Sequence, residues 1–108
     1  MAQTTPELEQ IIQRFRQQLE KMGIHPEQVM LYGSQVAGFA CEGSDIDLIV
    51  ISDDWRNLSK RERLELLGIA AARILEPIQA QGFTAAEISQ GRIMAFWECI
   101  LKEQAIAV

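Results

Sequence analysis

Leu8, Ile11, Ile12, Phe15, Leu19 and Met22 recur at steps of three and four, which predicts an amphipathic helix over residues 6–22 with a single apolar stripe. Thr5 is placed to cap this helix, Pro6 suits its first turn, and Gly23 suits its end. The apolar run Val29, Met30, Leu31, Tyr32 stops abruptly at Gly33-Ser34, the pattern of a short strand entering a tight turn. Residues 34–40 are predicted to form a short helix and 42–44 a loop. Ile46, Leu48, Ile49, Val50 and Ile51 then make the strongest strand of the chain, rich in β-branched residues and carrying Asp45 and Asp47 within it. Asp53 to Asn57 reads as a polar loop. Ser59-Lys60-Arg61-Glu62 is a capping box that opens a helix running to about Leu75, before Pro77 ends it. Residues 78–83 can form a third strand. Thr84-Ala85-Ala86-Glu87 is a second capping box, opening a helical region that continues through Ile93, Phe96, Trp97, Ile100 and Leu101. Ala105 to Val108 can add a short edge strand. This order predicts an α+β fold, a small mixed β-sheet flanked by helices, in one domain spanning residues 1–108.

Composition narrows the function classes. With 48% hydrophobic and 23% charged residues, the 108-residue chain reads as an ordinary globular domain. A core of this size gives modest stability, so a homo-oligomer is an expected arrangement. No apolar run is long enough for a membrane span, and the first residues have no signal-peptide pattern, so a cytoplasmic location is expected. Ten basic and 15 acidic residues give a net charge of −5, which argues against an extended nucleic-acid surface. A nucleotide is still compatible with that charge, because a metal ion can neutralise a triphosphate locally. Cys41 and Cys99 lack metal-ligand spacing and read as reduced thiols. His25, the only histidine, lies in a Gly-Ile-His-Pro turn and reads as a connector rather than a catalytic base.

Asp45-Ile46-Asp47 is the feature that asks for a chemical explanation. Strand positions i and i+2 point to one face, so the two carboxylates repel and resist burial together. Either this end of the strand simply faces water, or a divalent cation lies between the two groups. Mg²⁺ suits the second alternative, since it commonly takes one or two carboxylates plus substrate phosphates. Gly33-Ser34 favours that alternative. A glycine between a strand and a helix lets a phosphate approach free backbone N–H groups, and the serine hydroxyl can add a hydrogen bond.

The stretch from Leu31 to Val50 resembles the signature of the minimal nucleotidyltransferases of the DNA polymerase beta superfamily. That signature has an apolar residue, Gly-Ser, about ten residues, then Asp-apolar-Asp-apolar. Here ten residues separate Ser34 from Asp45, and Gly38 and Ser44 also fit. The resemblance extends over essentially the whole chain and implies a polymerase beta palm-like fold. It implies that Gly33 and Ser34 bind the triphosphate of a nucleotide, with ATP the expected donor, and that Asp45 and Asp47 hold Mg²⁺ or Mn²⁺ as catalytic ligands. The implied reaction is attack of an acceptor hydroxyl on the α-phosphate, with release of pyrophosphate. It also implies a small all-helical HEPN-type partner protein, as in toxin–antitoxin pairs.

One position departs from the pattern. Family enzymes carry a third carboxylate on the next strand, and aligning Pro77-Ile78-Gln79 with that strand puts Gln79 in its place. Glutamine is not a general base and is a poor Mg²⁺ ligand. Glu87 could substitute but fits better as the last member of a capping box, and Glu76 is weaker still. An active transferase and a catalytically weakened nucleotide-binding antitoxin component therefore both remain open. Met94, Phe96 and Trp97 read as core or subunit interface in preference to a base-stacking platform, which normally comes with a basic groove.

Overall fold

The computed structural model describes residues 5–33 and 45–108. Ser34, Gly38, Cys41 and Ser44, with the predicted helix 34–40 and loop 42–44, lie outside the described residues. The elements run α1 (Pro6–Lys21), β1 (Gln28–Tyr32), β2 (Ile46–Ile51), α2 (Lys60–Arg73), β3 (Ile78–Phe83), α3 (Ala85–Ser89), α4 (Ala95–Cys99) and β4 (Ile106–Ala107). The four strands form one mixed sheet in the order β3-β2-β1-β4. β1 pairs antiparallel with β2 and β4, while β2 and β3 run parallel because α2 carries the chain back between them. This is the α+β architecture that the sequence predicts. No helix among the described residues is long and apolar enough to cross a membrane.

The helix signals act as expected. The Thr5 side chain accepts from the Leu8 N–H at 3.1 Å, and the stripe Leu8, Ile12, Phe15, Leu19 is buried. Both capping boxes close reciprocally, Ser59 with Glu62 and Thr84 with Glu87. Alternation along β2 then divides the core. Ile46, Leu48 and Val50 pack with α1 and α2. Ile49 and Ile51 pack with Phe83, Ile93 and Ile100 on the other face.

Two local expectations need correction. The C-terminal helical region is not continuous: α3 ends at Ser89, Gly91 takes the left-handed conformation with φ 68°, and α4 starts only at Ala95 before passing into a π-helical turn over Ile100–Gln104. The Arg92 N–H returns to the Glu87 carbonyl at 2.8 Å, the closure of a glycine-terminated helix. The second correction concerns the polar loop, which contains a 3₁₀ turn over Asp53–Trp55 capped by Ser52. Its last residue, Trp55, is fully buried and donates from Nε1 to the Val50 carbonyl at 3.0 Å.

Trp55 lies over Gly82. A Cβ at position 82 would stand 2.8 Å from Trp55 Cε2 and 2.9 Å from Nε1, closer than a packed indole can tolerate. Gly82→Ala is therefore expected to destabilise the fold by about 2 kcal/mol through overpacking, read by chemical denaturation. An unchanged midpoint would mean that Trp55 can shift without cost.

Candidate functional site

The two ends of β2 have different surroundings. Ile49 and Ile51 lie under the C-terminal segment, whereas Asp47 is half-buried and Asp45 exposed. Tyr32 is the antiparallel partner of Asp47, and Gln79 is its parallel partner. Tyr32, Asp47 and Gln79 thus form a row across three strands on one face, with Asp45 two residues before Asp47 on the same side. The structure brings Gly33, Asp45 and Asp47 together at this end of the sheet; Ser34 lies outside the described residues.

Electrostatics at this row are unfavourable for charge. Burial raises the Asp47 carboxyl above its ordinary range, and the neighbouring Asp45 charge raises it further. The Tyr32 hydroxyl is pushed up to about 12, first by burial and then by Asp47, so near neutral pH it stays a phenol beside a carboxylate. Tyr32 is a site neighbour that motif reading misses. The available signal was its place immediately before Gly33 on the strand paired with β2.

Gly33 has φ +77°, and a Cβ there would overlap the Asp47 Oδ2 and lie 3.1 Å from its Cγ. The first group this glycine admits is thus the Asp47 carboxylate. Glycine at 33 is demanded twice, by the turn and by the approach of Asp47.

Two same-face carboxylates, one raised by burial and then by its neighbour, fit a hard divalent cation that would relieve their repulsion. Among the described residues no third histidine, cysteine or carboxylate joins them. Gln79 stands level with Asp47. Glu87 lies beyond Phe83, which pairs with Ile51, about 13 Å further along the sheet at the usual strand rise. Its carboxylate accepts from Arg63 at 2.8 and 3.1 Å and from the Thr84 N–H at 2.9 Å, and the Arg63 hydrogen bond is the main cause of its lowered pKa. Glu87 is a cap and an ion-pair partner. Glu76 pairs with Arg14 at 3.3 Å.

His25, Asp54 and Ser52 do meet, but not as a nucleophile set. The Ser52 hydroxyl is buried and donates to the His25 carbonyl at 2.8 Å, and Asp54 accepts from the His25 backbone N–H at 2.7 Å. The trio ties the turn after α1 to the 3₁₀ turn. Trp97 is half-buried among Tyr32, Phe83 and Phe96, with ring centroids 5.8, 5.9 and 4.9 Å away, while Met94 and Phe96 are exposed.

A family model for polymerase beta nucleotidyltransferases matches residues 9–94. The chain belongs to this family. As a nucleotidyltransferase domain it shares its fold with a nucleotidyltransferase-like protein from Sulfolobus solfataricus, at 15% identity and a TM-score of 0.54, covering 99% of this chain and 89% of that one. It is also similar to a toxin–antitoxin structure containing AMP-PNP, at 22% identity and a TM-score of 0.56, covering 92% of this chain and 69% of that one. No curated protein sequence gives a significant match.

The raised Asp47 pKa has a thermodynamic consequence for the nucleotidyltransferase. A carboxyl whose folded pKa exceeds its unfolded value contributes stability at low pH, and that contribution is lost as pH rises through the folded pKa. Asp47→Asn in metal-free buffer is expected to raise the thermal midpoint at pH 7 and to flatten its decline between acid and neutral pH. A midpoint at or below wild type would show that the ionised carboxylate is stabilised in the free protein.

Proposed function

We propose that this nucleotidyltransferase binds a nucleoside triphosphate, with ATP the expected donor, between the Gly33-Ser34 turn and the Asp45/Asp47 pair. It transfers the nucleoside monophosphate to a hydroxyl acceptor, and the isolated chain does so weakly. The observation that carries this reading is the row Tyr32–Asp47–Gln79 with Gly33 against the Asp47 carboxylate. Asp45 and Asp47 would hold Mg²⁺ or Mn²⁺, which when bound supplies charge neutralisation to the triphosphate. Gly33 offers a backbone free of side-chain obstruction, and Ser34 offers a hydroxyl donor to the phosphates. The acceptor oxygen forms a bond to the α-phosphorus as the bond to pyrophosphate breaks. Gln79 cannot take up the acceptor's proton, which then passes to solvent water, and the general-base assistance forgone is typically worth about 10²–10⁴-fold.

The same glutamine favours a second reading, a nucleotide-binding antitoxin component acting on a small all-helical HEPN-type partner. The toxin–antitoxin fold neighbour with AMP-PNP motivates that partner class, and a cytoplasmic location goes with it.

Calorimetric titration tests binding. ATP affinity is expected to rise with Mg²⁺ or Mn²⁺ and to fall in Asp47→Ala and in Gly33→Val, both checked for folding. Equal affinity in wild type and Asp47→Ala at saturating Mg²⁺ would remove the carboxylate pair from the site.

Transfer is tested with labelled ATP, Mg²⁺ and a helical partner. Gln79→Asp is expected to raise transfer by about 10²-fold or more, the lower range of general-base assistance. Glu87→Gln, held folded, is expected to leave it unchanged. Strong wild-type transfer that Gln79→Asp fails to raise would mean that the chain completes its site by another route.

A further inference from the structure

β3 is an edge strand of the described sheet. The Ile46 N–H bonds to the Pro77 carbonyl and the Ser52 N–H to the Phe83 carbonyl, so the odd-numbered residues of β3 turn their backbone groups toward β2. Ala80, midway, turns its N–H and C=O outward, where no described strand pairs with them. The outward groups on either side are already partly served. The Ile78 N–H donates to Glu76 O at 2.9 Å, and the Gly82 carbonyl accepts from Arg63 at 3.1 Å. The strand Ile78–Phe83 has no charged residue, the feature that usually protects an open edge from pairing.

Three further features lie along this edge. Leu75, just before β3, takes the left-handed φ of 59° that closes α2, with its N–H on the Ala72 carbonyl and the Glu76 N–H on the Ala71 carbonyl; that place favours glycine, yet it carries a leucine that is 87% exposed. Gly68 sits inside α2, where glycine weakens a helix, with no atom within 4 Å of where a Cβ would lie. At the far end of the strand is a cavity of about 170 Å³ lined by Lys60, Leu64, Gln81, Phe83, Met94 and Trp97, among others. Its walls come from α2 on one face, from the C-terminal segment on the other, and from β3 between them, so it opens at the outer edge of β3. Lys60, Leu64 and Gly68 recur at steps of four and share the flank of α2 toward this edge, with Leu75 seven residues further on.

We propose that this edge is a homodimer interface in which β3 pairs antiparallel with β3 of a second copy about a two-fold axis at Ala80. Another extended backbone complements the outward N–H and C=O of Ala80 together, and the two-fold lets each alanine serve the other. The same register sets Leu75 of one copy level with Ala85 of the other, beside Phe83 and the mouth of its cavity. An apolar knob at one end of an edge and an apolar hole at its other end are self-complementary under a two-fold. Charge follows the same rule, since Glu76 comes level with Thr84 of the second copy, toward the end of α2 that carries Lys60. The two α2 helices run antiparallel on one face of a continuous eight-stranded sheet, and Gly68 allows their close approach. This assembly is independent of nucleotide.

Sedimentation equilibrium of the full chain over a wide concentration range tests the interface. Wild type is expected to reach twice the 12.2 kDa chain mass. Ala80→Pro removes the outward N–H from a position where an edge strand tolerates proline, and is expected to weaken dimerisation at least tenfold. Leu75→Gly and Lys60→Glu should do the same. Leu75→Gly also relieves the left-handed strain, so the unfolding midpoint of the monomer should not fall, an outcome that loss of a purely structural leucine would not give. A mass of 12.2 kDa at every concentration would overturn the proposal. So would a dimer that Leu75→Gly leaves intact, whether or not Ala80→Pro folds.

Discussion

Asp47 lies on a strand whose next four residues are buried, and this single constraint organises the site end of the molecule. A carboxylate cannot follow Leu48 to Ile51 into the core, so β2 must begin where the C-terminal segment no longer covers the sheet. The gap thus left on the second face is where Tyr32 and Gln79 flank Asp47. Gly33 completes it from above, because only a residue without a side chain fits against the carboxylate at a positive φ. Turn, strand partner and acid are one packing problem with one solution.

At the opposite end of β3 the chemistry is reversed, and charge is fully compensated. Arg63 is buried, and it donates to the carbonyls of Leu58 and Gly82 as well as to Glu87. A buried guanidinium needs such a set of acceptors to offset its lost hydration. Glu87 is consequently tied to the start of α2 and to the cap of α3. The acid that could most easily be mistaken for a missing catalytic group is one that the fold cannot release without leaving a buried cation unpaired.

Much of this was legible in the residues, because the controlling interactions are local. The stripe of α1, the two capping boxes and the alternation of β2 each depend on spacings of two to four residues. The place of Gln79 beside Asp47 was also readable, though only through the family resemblance, in which a proline and an apolar residue precede the third carboxylate as Pro77-Ile78 precede Gln79. Trp55 was not. Its neighbours Asp53, Asp54 and Arg56 are polar, and its burial depends on the bare surface of Gly82, 27 positions away. The break at Gly91 was masked by apolar residues that continue on both sides of it, and only the left-handed conformation reveals the stop. The environment of Tyr32 needed the β1–β2 register, which no local pattern states.

The chain contains two tryptophans, and the sheet separates them. Trp55 is sealed on the face of α1 and α2, hydrogen-bonded and screened from solvent, while Trp97 lies on the other face with its ring edge-on to Tyr32. Their emission therefore carries distinct information. Trp55 reports the integrity of the core as a whole. Trp97, in ring contact with the tyrosine that neighbours Asp47, is sensitive to what happens at the open end of the sheet. The fold thus contains two intrinsic optical probes, one on each side of the sheet.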